Sequence, residues 1–214
     1  MNRFKKAERI GTILDGLYTE TPIPLNHSSA YTLTVAVMLS AQTTDKKVNE
    51  VTPTLFKFAD TPEKMINLDL DTIRNLIREI GLAPTKAKNL LKMAGQLISG
   101  GGIRPDWDYL ESLAGVGHKT ASVVMSQWYG IPAFPIDTHI HRLASRWGLS
   151  KGKNVVMTEN DLKKLWPKEV WNKRHLQIIF FGREYCPARN HNLQECIICS
   201  WTASKKTILN EKNK

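Results

Sequence analysis

Apolar residues recur along most of this chain at spacings of three and four, the period of one helical face, and few segments alternate with the period of two that a strand requires. Ile10, Ile13, Leu14 and Leu17 mark one face of a helix from Arg3 to Leu17, and Pro22 and Pro24 break the chain after it. Ser28-Ser29 caps a second helix through Tyr31, Leu33, Val35, Met38 and Leu39, and Asp45 is placed to cap a third from Lys46 to Phe58. Thr61-Pro62 opens a short helix. Asp69 or Asp71 opens the next, where Ile73, Leu76, Ile77 and Ile80 share a face up to Gly81. Thr85 caps a helix from Lys86 to Ser99 with Leu90, Leu91, Ala94, Leu97 and Ile98 inward, and Gly100-Gly101-Gly102 ends it as a hinge or turn. Farther on, Asp137 can cap Thr138 to Trp147, and Thr158-Glu159-Asn160-Asp161 has the form of a capping box before Leu162. A long apolar helix, in which His175 reads as a packed or surface residue, begins at Pro167. The fold class predicted is all-α.

Composition narrows the picture. A chain of 214 residues, 42% of them hydrophobic, can build one substantial core or two small lobes. Thirty Lys and Arg against twenty Asp and Glu give a formal charge of +10, which favours an anionic partner without naming it. No stretch reaches membrane-spanning length, and Met1-Asn2-Arg3-Phe4-Lys5-Lys6 lacks a secretory apolar core, so an intracellular protein, cytoplasmic or at the nucleoid, is expected. Three cysteines near one end do not suggest a disulfide scaffold. The basic run after Trp201, with Lys205, Lys206, Lys212 and Lys214, reads as a mobile tail.

The chemistry concentrates in Leu113-Ala114-Gly115-Val116-Gly117-His118-Lys119-Thr120-Ala121 and in Asp137, fewer than twenty residues later. Gly115 and Gly117 bracket Val116 between a short helix, Tyr109 to Leu113, and a second one, Lys119 to Tyr129, whose apolar face is Ala121, Val124, Met125 and Trp128. Glycine accepts positive φ and lets a partner approach the backbone, and the free N–H groups opening the second helix attract an anion such as a DNA phosphate. An ordinary helical corner would use the same glycines. Lys119 falls where the positive end of the helix dipole disfavours a cation; with partial burial it could supply the free amine a Schiff-base nucleophile requires. Asp137, in an otherwise apolar run, can stabilise a cationic sugar centre and manage a proton, cap the following helix, or both.

These residues resemble the helix-hairpin-helix DNA glycosylases of the endonuclease III branch. Three blocks match in order: Leu39-Ser40-Ala41-Gln42-Thr43-Thr44-Asp45, the hairpin with its lysine running on to Ile136-Asp137-Thr138-His139, and a cysteine-bearing C-terminus. The resemblance implies a bifunctional enzyme that excises oxidised pyrimidines and then cuts the strand by β-elimination, with Lys119 as Schiff-base lysine and Asp137 as catalytic aspartate. It implies a six-helix barrel lobe over 25–133 carrying the hairpin, a second lobe joining 1–24 to 134–214, and a cleft between them with Lys119 opposite Asp137. Gln42 matches a residue that fills the gap left by an extruded nucleotide, and Leu82 a wedge opposite the damaged base. Gly115, Val116, Gly117 and His139 join them as DNA contacts. Lys86 and Lys88 could hold phosphates or simply form a solvated face. The expected partner is double-stranded DNA with damaged bases or abasic sites, bound by a monomer. Two rivals remain at this point: a monofunctional glycosylase of the same fold, and a non-catalytic DNA clamp that needs the glycines but neither Lys119 nor Asp137.

Cys186, Cys196 and Cys199 resemble the family's iron-sulfur loop, where four thiolates hold a [4Fe-4S] cluster. The position expected to carry the fourth, six residues after Cys199, is Lys205, and the gap from Cys186 to Cys196 exceeds the common family spacing. His191 in that longer loop offers a substitute donor. Three readings stay open: a three-cysteine cluster with an outside ligand, another metal such as zinc, or a loop held by packing. The expectation is a lost or labile cluster.

Overall fold

The structure, a computed structural model, describes residues 1–204; Lys205 and the rest of the basic tail lie outside them. Among the described residues every regular element is helical. No helix among them is long and apolar enough to cross a membrane. The chain divides into two compact units, one of residues 23–131 and one joining 1–22 to 132–214.

The 23–131 unit holds α2 (Ala30–Ser40), α3 (Asp45–Ala59), α4 (Pro62–Ile66), α5 (Leu70–Leu76), α6 (Ala83–Gly100), α7 (Trp107–Ser112) and α8 (His118–Val123), the last running into a π-helical turn, Val124–Trp128. Its centre is α2, buried from Tyr31 to Leu39 and therefore apolar on every side rather than along one stripe. A reciprocal cap starts it: Thr32 N donates to Ser29 Oγ at 3.1 Å and Ser29 N to Thr32 Oγ1 at 2.9 Å. Leu55 of α3, Ile73 of α5, and Leu90, Met93 and Leu97 of α6 close around α2 in one apolar core.

Three caps sit one to four residues from where the pattern put them. Thr44, not Asp45, caps α3, and Asp45 occupies the first turn, where its charge suits the helix dipole. α6 begins after Leu82, so Thr85 lies inside it rather than at its head. In the other unit Asn154 caps α10 (Val155–Leu165), so the Thr158 box is helix interior; Thr158 Oγ1 donates back to Asn154 O at 3.0 Å. The π turn after α8 also corrects an expectation: it shifts the helical phase, and Trp128 stands 42% exposed instead of facing the core.

The second unit holds α1 (Arg3–Leu17), α9 (Thr138–Arg146), α10, α11 (Trp171–Glu184) and α12 (Cys199–Thr202). Ile10 and Leu14 of α1, Leu143 and Trp147 at the end of α9, and Phe181 of α11 are fully buried together, each large side chain removing apolar area worth about 1.5–3 kcal/mol. α1 is fastened to α11 by Arg174, whose Nη1 donates to Gly11 O at 2.9 Å and Nη2 to Asp15 Oδ2 at 3.0 Å. A Cβ on Gly11 would come within 3.0 Å of that guanidinium, which explains glycine in mid-helix.

Burial raises the Asp15 carboxyl, but hydrogen bonds from Gln177, Lys173 and Arg174 outweigh it and hold the group down from 3.8 to about 2. A depressed carboxylate stabilises the fold above its unfolded value, and that contribution is lost as pH falls through the folded one. The urea midpoint of wild type should therefore exceed that of Asp15→Asn at pH 6, with the gap closing between about pH 4 and pH 2. A gap that stays constant over that range would refute the assignment.

Candidate active site

Two of the residues expected to enter DNA are held in backbone conformations that L-residues seldom adopt: Gln42 at φ +59° and Leu82 at φ +61°. Both side chains are exposed, Leu82 by 56%. Their loops are joined. Gly81 N donates to Thr43 Oγ1 at 3.1 Å, and a Cβ on Gly81 would approach Gln42 O to 3.1 Å. Beneath them lies Lys86, 5% exposed, whose Nζ donates to Leu39 O at 2.8 Å and Ala41 O at 2.6 Å. Burial pushes this lysine below its ordinary value. Lys86 is thus neither a solvated residue nor a phosphate ligand, as the sequence had left open, but a tether for the chain entering Gln42; Lys88 stays exposed. A signal was present, because position 86 shares the α6 face of Leu90, Met93 and Leu97, but its charge masked it.

The hairpin glycines divide the work. Gly115 takes φ +80°, and a Cβ there would collide with Met38 Sδ and crowd Asn89. Gly117 has φ −99°, caps α8 without any side chain, and would have open space around an added Cβ. Val116 supports the hairpin from beneath: its side chain is 4% exposed and its N–H donates to Leu113 O at 3.0 Å. Gln96 of α6 clips the hairpin, accepting from Ala114 N at 2.8 Å and donating to Ser112 O at 3.1 Å, a role no pattern in the sequence announced. On the other side His118 stacks on Trp107 at 5.9 Å and pairs with Glu111 at 2.7 Å.

Lys119 lies in the first turn of α8 and is exposed, so the partial burial expected for it is not found. Asp137 belongs to the other unit. It is half-buried and caps α9, its Oδ1 accepting from Ile140 N at 2.7 Å, while Oδ2 makes no part of that bond. His139 is half-buried against α11, where a Cβ on Gly182 would come within 3.0 Å of its Nδ1. That nitrogen lies 3.2 Å from Arg142 Nη2, and burial pushes the imidazole below its ordinary value against the opposing pull of Asp137.

The three cysteines are free and buried. Their sulfurs and one ring nitrogen of His191 all lie within 4.8 Å of one another, a group able to hold a metal ion. A hydrogen bond to Cys196 raises the Cys186 thiol to about 11, whereas Cys196, which receives bonds from Cys186 and Cys199, is held far below the ordinary thiol value. The four donors do not fit a four-iron cube well. In such a cube each ligand bonds a different iron, which separates the donors by an iron–iron edge as well as two outward bonds.

Residues 35–168, from α2 past α10, match the family model described as HhH-GPD superfamily base excision DNA repair protein. Endonuclease III of Bacillus subtilis is 41% identical over 203 residues, covering 94% of this chain and 93% of its own. Endonuclease III of Treponema pallidum is 40% identical over 201 residues, covering 92% and 95%. Among solved structures, a trapped endonuclease III–DNA covalent intermediate aligns with TM-score 0.88 at 36% identity over 92% of this chain and 94% of that one. A non-covalent endonuclease III–DNA complex aligns with TM-score 0.92 at 34% identity over all of both chains. The chain belongs to the endonuclease III family of the HhH-GPD superfamily.

The two hairpin glycines make unequal demands on stability. Gly115→Ala should lower the unfolding free energy by about 1–3 kcal/mol, from the left-handed φ and the contact with Met38, whereas Gly117→Ala should cost less, about 0.5–1 kcal/mol, from the poorer cap alone. Equal losses in urea titrations would contradict this division.

Proposed function

We propose that this protein is a bifunctional DNA N-glycosylase and abasic-site lyase that removes oxidised pyrimidines from double-stranded DNA. The observation that carries the reading is an exposed amine, Lys119, in the first turn of the helix behind Gly115-Val116-Gly117, in a chain similar over 92% of its length to an endonuclease III trapped covalently on DNA.

DNA is held by its phosphates, drawn by the basic surface and received at the hairpin, where Gly117 leaves the backbone unobstructed. His139 and the hairpin backbone make further contacts. The damaged nucleotide is extruded; Gln42, able to donate and accept, occupies the vacated place, and Leu82 wedges into the stack. Rigid φ values at both residues present their side chains without further ordering.

The lone pair of Lys119 Nζ attacks C1′ of the extruded sugar. The Nζ–C1′ bond forms, the bond from C1′ to the base breaks, and the base leaves with a proton. Asp137 stabilises the positive charge that develops on the sugar and assists proton transfer. Ring opening gives an imine between Lys119 and C1′. Loss of a C2′ proton then expels the 3′ phosphate as the C3′–O bond breaks, and hydrolysis of the imine returns the lysine amine. These steps need no soluble cofactor, and none passes through the cysteine group.

Borohydride reduction on duplex oligonucleotides carrying thymine glycol or an abasic site tests the assignment. Wild type should give a covalent adduct, and Lys119→Gln should give none while still binding uncleaved duplex. Asp137→Asn should slow base release by about 10²–10⁴-fold yet keep its unfolding midpoint, since asparagine caps a helix as well as aspartate does. Base excision without any adduct in wild type would place the protein with the monofunctional glycosylases, and neither excision nor adduct over a panel of lesions would leave a DNA-binding module.

A further inference from the structure

We propose that Cys186, His191, Cys196 and Cys199 form a complete site for a single zinc ion, with His191 supplying the ligand that a fourth cysteine would otherwise provide. The spacing of the donors is the first support. Cys186 Sγ lies 3.3 Å from His191 Nε2 and 3.6 Å from Cys199 Sγ, and no pair of donors in the group exceeds 4.8 Å. Four donors at tetrahedral angles around one zinc, with bonds of about 2.3 Å to sulfur and 2.0–2.1 Å to nitrogen, stand roughly 3.4–3.8 Å apart. The loop is already gathered around one ion's volume.

The chemistry of the group agrees. Three thiolates and an imidazole are a structural zinc set, and burial of all three cysteines leaves no open position for a reacting water. Cys199 N points at Cys196 Sγ from 3.4 Å, so the turn between these two cysteines directs a backbone donor onto a sulfur that must carry charge. Zinc with three thiolates keeps one net negative charge. Arg146, 3% exposed in α9, answers it: its Nη1 donates to Cys186 Sγ at 3.2 Å and to Pro187 O at 2.7 Å. The extra length between Cys186 and Cys196 is what brings His191 into reach, so the site closes within residues 186–199 and asks nothing of Lys205. Its cysteines belong to the apolar core with Trp147 and Phe181, so the ion ties the chain leaving α11 to the start of α12, with Arg146 of α9 donating to the Cys186 sulfur.

Metal analysis of the full chain, expressed with both iron and zinc supplied and isolated without oxygen, tests this. The expected result is one zinc per chain with iron at trace level, and after cobalt exchange the visible bands of a tetrahedral thiolate site. His191→Ala should lose the ion to a chelator about tenfold or more readily. His191→Cys should keep one zinc and shift the cobalt bands toward those of a four-thiolate site. This second variant decides the matter if the alanine variant does not fold. Four irons with inorganic sulfide per chain would overturn the proposal, as would the absence of stoichiometric metal or cobalt bands unmoved by His191→Cys.

Discussion

Backbone held where L-residues resist going is the constraint on which the 23–131 unit depends. Gln42, Leu82 and Gly115 all have φ between +59° and +80°, and a non-glycine residue there costs on the order of 1–3 kcal/mol unless its surroundings over-determine it. The surroundings come from one helix. α6 starts directly from Leu82, sends Lys86 up to the carbonyls of Leu39 and Ala41, and sends Gln96 to the hairpin, while Leu90, Met93 and Leu97 anchor it in the core. Three loops that differ widely in sequence position are positioned by a single rigid body. The proposed insertion of Gln42 and Leu82 into a base stack would draw on that rigidity, because any ordering left to the moment of binding subtracts from the energy available to extrude a nucleotide.

The other unit solves a different problem with charge buried in its core. Arg142, Arg146 and Arg174 each lie between helices and direct their donors at backbone carbonyls, with a carboxylate or sulfur added for the last two. A buried guanidinium is tolerable when most of its donors find acceptors. Arg174 has the carboxylate of Asp15 beside it, and Arg146 donates to the sulfur of Cys186. Asp137 uses one oxygen to start α9, so its position is fixed by the helix it caps.

How much of this was legible in the sequence depended on whether a local rule decided the outcome. α1 runs from Arg3 to Leu17 as its apolar spacing required, and Ser29 and Thr61 cap the helices that follow them. Where two cap formers stand side by side, as at Thr44 and Asp45, either could have served, and the dipole merely favoured the acid one place inside. Leu82 was beyond local rules altogether. A leucine does not choose the left-handed region, and only the fold that pins Gly81 against the Gln42 loop puts it there. Lys119, Asp137 and the two glycines were visible as a motif, but the supports Lys86 and Gln96 were not, because a charged or polar side chain on a helix reads as surface until its acceptors are known.

The most direct test of the central claim is to identify the residue that carries the sugar. Wild-type protein reduced with borohydride on an abasic-site duplex, digested with a protease and a nuclease, and analysed by tandem mass spectrometry should show the remnant on the peptide containing Lys119 and nowhere else. A remnant carried by another lysine, or by the N-terminal amine, would contradict the account, because the exposed amine at the head of α8 would then not be the group that reacts.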